Sequence, residues 1–127
     1  MALFRFRTRN PERDLQTDKA RFERLNDLLN EFRSEIEQEK AGLKGRYERI
    51  MADAAFSQQA LEDERGDSAI SQRIDGMTET MKRYAARLAT LDEQLAFAAG
   101  LSKNVNEFTS MNSVENNELH AAVHASE

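Results

Sequence analysis

The chain has 127 residues, enough for one domain, and it combines 39% hydrophobic with 32% charged residues. Only five glycines and one proline interrupt it, a composition that favours long, solvent-exposed helices over a large globular core. No cysteine is present, which excludes disulfides and thiolate metal sites and fits a cytoplasmic location. The net charge of −5 argues against nucleic acid as a partner, and no apolar run has the ~18 residues that a transmembrane helix needs.

The first residues, 1–10, are interpreted as a flexible arm in which hydrophobic and arginine side chains alternate. Its candidate contact residues are Leu3, Phe4, Arg5, Phe6, Arg7 and Arg9. Three interpretations of the arm remain open: a frayed terminus, an arm that docks on a partner protein or on anionic lipid headgroups, and an arm that contacts nucleic acid. The acidic charge of the whole chain disfavours the third.

A first helix is predicted from Pro11 to Arg65, because Asn10 is a good N-cap and proline is favoured at the first helical position. Its predicted seam, the line of residues expected to face a partner helix, alternates steps of three and four residues as far as Leu43. The next step, to Tyr47, is four residues where the pattern requires three, and this irregularity is a stutter. This seam includes Leu15, Phe22, Leu25, Leu29, Phe32, Ile36, Glu39 and Leu43. Two interpretations of residues 41–45, which contain two glycines, remain open: a bend in a continuous helix, or a break that makes three helices.

A turn at residues 66–67 and a second helix from Ser68 to Asn112 are predicted next. Residues 70–95 of this helix carry an unbroken coiled-coil seam, whose members are Ile70, Ile74, Met77, Met81, Tyr84, Leu88, Leu91 and Leu95. Residues 113–127 are polar and acidic and are predicted to be a disordered tail. The tail contains His120 and His124, four residues apart, but we expect them to be solvated and not to hold a metal.

These elements predict an all-α fold, a long antiparallel two-helix coiled-coil hairpin over residues 11–112. Phe56 and Phe97 fall outside the seams, and Leu28 and Met51 lie beside them. Because a two-helix hairpin has little core, these four side chains indicate a second contact surface, and we expect the chain to form a homodimer as a four-helix bundle.

The hairpin, its charge density and the Phe-Arg-Phe-Arg arm resemble the helical-hairpin stalk and chaperone proteins of bacterial flagellar and type III export. That resemblance, over residues 11–112, implies binding to export subunits; phasin-like and tail-assembly proteins look equally similar. No phosphate-binding loop, catalytic triad or zinc motif occurs, so no enzyme activity, cofactor or catalytic residue is predicted. The sequence therefore predicts an adaptor or scaffold that binds another protein, or alternatively a protein that its arm anchors at an anionic membrane surface.

Overall fold

Two long helices packed against each other as a hairpin make up the protein, in a computed structural model that describes residues 10–64 and 68–125. The first helix, α1, spans Pro11–Glu64, and the second, α2, spans Ser68–Ala125. The described residues contain no strand, and the predicted all-α hairpin is confirmed. The predicted arm and the predicted turn at residues 66–67 lie outside the described residues.

The start of α1 is fixed by Asn10, as its sequence predicts. The Asn10 carbonyl oxygen accepts hydrogen bonds from the backbone N–H groups of Arg13 and Asp14. Its side-chain Oδ1 accepts a third from the Glu12 N–H at 3.1 Å. The bond from Asp14 is the first regular bond of the helix, and those from Glu12 and Arg13 satisfy two N–H groups that a helix end leaves without intrahelical partners. Glu12 and Asp14 also add negative charge where the helix dipole favours it.

The second helix continues past the predicted end at Asn112 to Ala125, so most of the segment predicted to be disordered is helical. Neither glycine nor proline occurs after Asn112, and each added residue of an existing helix gains a hydrogen bond without a new nucleation cost. The segment also contains several good helix formers, including Glu118, Leu119 and Ala121. The low hydrophobicity that suggested disorder reflects instead how exposed this part of the helix is.

The structure also corrects the seam of α1. The exposed residues include Leu15, Leu25, Phe32 and Glu39, although the predicted seam places them inward. The inward positions alternate steps of four and three without the predicted stutter, and they are Phe22, Asn26, Leu29, Arg33, Ile36, Lys40, Leu43, Tyr47, Ile50, Ala54, Ser57 and Leu61. Every second inward position in the first half of this helix is therefore polar, and the helix is continuous through residues 41–45.

The chain divides into two compact units. The central unit is Phe32–Ala98, and the terminal unit comprises Met1–Glu31 and Ala99–Glu127. Three of the four buried apolar residues of the described chain, Ile36, Leu91 and Ala98, lie in the central unit, and the fourth, Leu29, lies in the terminal unit.

Two ion pairs join the helices of the central unit. The Arg87 guanidinium donates to both carboxylate oxygens of Glu39, with Nη2 3.2 Å from Oε1 and 3.1 Å from Oε2. Lys40 pairs with Asp92 on the same stretch of α2. In the pair of Glu39 with Arg87, both side chains keep almost half of their surface in water.

In the terminal unit, the two helices meet through Phe22 of α1 and Phe108 of α2. Their ring centroids lie 5.4 Å apart with the planes tilted by 43°, a spacing typical of a favourable aromatic pair. The inward positions of α2 here are mostly small or polar, since Ser102, Thr109 and Asn112 occupy three of them. The seam of this unit therefore buries little apolar surface besides Leu29.

Replacing Gly42 and Gly45 together by alanine should raise the free energy of unfolding by about 1–2 kcal/mol, because both glycines lie inside a continuous helix. A Cβ at either position would meet nothing within 4 Å. The measurement is chemical denaturation of the native chain and the double variant. Gly76→Ala, at an equally open position of α2, is the matched control and should stabilise by no more than about 1 kcal/mol. A double variant that melts below the native chain would show a real break at residues 41–45.

A double-mutant cycle with Glu39→Gln and Arg87→Gln should give a coupling energy of about 0.5–1 kcal/mol that falls as salt is added. The bidentate geometry favours the upper end of that range, and the exposure of both side chains limits it. Thermal and urea unfolding at low and high ionic strength measure the coupling. A coupling above about 2 kcal/mol, insensitive to salt, would mean that the pair is far less solvated than the structure indicates.

Candidate interaction surfaces

The four hydrophobic residues predicted to contact a partner all point outward in the structure. Phe56 is 78% exposed, Phe97 66%, Leu28 61% and Met51 50%. Leu28 belongs to the terminal unit, and the other three belong to the central unit. Phe56 and Met51 are five residues apart on α1, which turns their side chains about 140° away from each other. These four residues therefore do not form one site.

The structure adds exposed hydrophobic residues that the sequence analysis placed in the seam or did not single out as contacts. These are Leu15, Leu25 and Phe32 on α1, and Leu101, Phe108, Met111, Val114 and Leu119 on α2. They alternate with polar residues at the inward positions, such as Asn26 and Thr109. That alternation was visible in the sequence, because apolar residues in this region fit two overlapping heptad frames, and only packing decided which frame faces the partner helix.

An open crevice of about 710 Å³ lies between the helices of the terminal unit. Besides Leu15, Phe22 and Phe108, its lining is polar, and it consists of Gln16, Asp18, Lys19, Glu23, Asn26, Thr109, Asn112, Ser113 and Asn117. The side chains of Asp18, Lys19 and Glu23 are exposed to water. The crevice exists because small and amide side chains, which do not fill the space between two helix backbones, occupy the seam here.

The remaining predicted contact residues, Leu3 to Arg9 of the arm, lie outside the described residues, as do the side chains of His120 and His124. Within the described part of the chain, no three histidine, cysteine, aspartate or glutamate side chains are grouped as metal ligands. Neither described helix contains a segment that is long and apolar enough to cross a bilayer.

Comparison with protein families, with curated proteins and with solved structures finds nothing that matches this chain.

Proposed function

We propose that this protein is a non-catalytic coiled-coil adaptor or scaffold that binds another protein through hydrophobic side chains on the outside of its hairpin. The observation that supports this proposal most is the exposure of Phe56, of which 78% faces water although it lies within the regular helix α1. A large aromatic side chain contributes strongly to binding when a partner covers it, and it contributes little to stability while it stays exposed.

The surroundings of Phe56 fit a contact point for a partner. Asp53 and Gln59, three residues before and after it on α1, are exposed and polar, and the small residues Ala52 and Ala60 lie four residues away. A polar rim around a hydrophobic centre is the usual anatomy of a protein interface. The resemblance to export chaperones makes export subunits the first candidate partners.

Replacing Phe56 by serine should weaken binding to the partner at least about tenfold and change the stability of the free protein by less than ~0.5 kcal/mol. A photo-crosslinking amino acid at position 56 would first capture the partner in cells. The same amino acid at the exposed Gln58, which faces nearly the opposite side of the helix, is the control. Calorimetric titration of the purified partner then compares the native chain with Phe56→Ser. Equal affinity for both chains would remove Phe56 from the interface.

The second candidate function is that of a peripheral membrane protein, which the composition of the arm favours. Three arginines attract anionic lipid at about 1 kcal/mol each, and Leu3, Phe4 and Phe6 supply apolar groups for the interface.

Deleting residues 1–9 should abolish sedimentation with anionic vesicles and leave the helices intact, because the capping residue Asn10 remains. Raised salt should weaken binding of the intact chain, since the attraction is electrostatic. Replacing the three arginines by lysine keeps the charge and is the control that should still sediment. An intact chain that stays in the supernatant at low salt would remove this candidate.

A further inference from the structure

On both helices of the terminal unit, exposed apolar side chains lie along one flank of the seam, where Phe108 also contacts Phe22 of the other helix. Leu25 and Leu28 each precede an inward position of α1 by one residue, and Leu101, Phe108 and Met111 do the same on α2. Because the helices are antiparallel, a side chain one residue before an inward position projects towards the same side of the hairpin on both helices. The five residues therefore form one exposed surface, called here the lateral face.

The lateral face is free of charge between its aromatic and aliphatic residues. The only other described position within it is Asn104, which is polar but neutral. Charged groups occur towards the chain termini, where Arg21 pairs with Asp18 at 3.7 Å and Glu115 follows on α2. The opposite side of the same unit carries Glu23, Asp27 and Lys103 instead. Two copies of the lateral face can meet without like charges facing one another.

The exposure of the lateral face also fits a second copy. Its five residues are between 37% and 66% exposed, and the described residues contain no third helix that could cover them. Only four apolar residues of the described chain are buried, so one seam leaves much of the apolar surface to be covered.

We propose that the lateral face is a homodimer interface, which packs α1 of one copy against α2 of the other around a two-fold axis parallel to the helices. Every helix in this arrangement has two antiparallel neighbours, as in a four-helix bundle. Phe22, Leu25 and Leu29 form a stripe on α1 between the side that faces α2 and the side that carries the lateral face. In the proposed dimer this stripe would point to the centre of the four-helix bundle. Leu28 and Met111 lie at the edges of the interface.

The variant Leu25→Glu tests this interface, because it places a carboxylate at the centre of the lateral face. The native chain should be a dimer by analytical ultracentrifugation over a hundredfold concentration range. Leu25→Glu should raise the dissociation constant at least about a hundredfold. Val114→Glu is the matched control: Val114 is 56% exposed on the same unit but lies away from the lateral face, and its replacement should leave dimerisation unchanged. Circular dichroism checks that both variants stay helical.

A second measurement does not depend on the folding of a core variant. Since the chain has no cysteine, a spin label can be attached to a single introduced one. Labels at Asn104, on the lateral face, should give a shorter distance between the two copies than labels at Glu107, which points away from it. A monomeric native chain, a dimer that tolerates Leu25→Glu, equal disruption by Val114→Glu, or a shorter distance for Glu107 would each overturn the proposal. These measurements report association of the chain with itself and not binding of another protein, so the proposed interface and the adaptor function can fail independently.

Discussion

A pair of antiparallel helices has only one seam, and every apolar side chain that does not fit into it remains at the surface. This constraint explains why a chain with 39% hydrophobic residues buries only Leu29, Ile36, Leu91 and Ala98 among its described residues. It also explains why ion pairs between the helices stay partly solvated, as the Glu39 and Arg87 side chains do. The hairpin is therefore held mainly by half-buried side chains along the seam, each with a modest contribution.

The irregular step between Leu43 and Tyr47 marks a change in which face of α1 is apolar, and not a fault in the helix. Beyond Leu43, the apolar residues coincide with the inward positions, as Tyr47 and Ile50 show. Before it, they alternate between inward positions and one flank, and Leu25 and Phe32 stand on that flank. A stutter in a hydrophobic pattern therefore signals either a local unwinding of the supercoil or, as here, a change in which face of the helix is apolar.

The two kinds of exposed hydrophobic residue support different functions. Phe56 has polar neighbours along its helix, and an isolated aromatic with a polar rim fits a contact with another protein. The residues of the lateral face belong to a continuous uncharged surface contributed by both helices, and such a surface fits a second copy of the same chain. The two proposed interactions thus rest on different residues, and the proposed dimer would carry two copies of Phe56.

The sequence by itself determined the helical class, the antiparallel hairpin, the cap at Asn10 and the outward position of Phe56 and Phe97, because periodicity and local hydrogen bonding fix these features. It misplaced the seam of α1 and the end of α2. Leu25 and Asn26 are adjacent, and a heptad frame through either one preserves a plausible three-four rhythm. Only the packing of α2 against α1 decided between them. In the observed heptad frame, the polar side chains Asn26, Arg33 and Lys40 face α2, and the apolar flank stays exposed. A helix pair adopts the frame that packs both helices along their length, which need not be the most apolar frame of one helix.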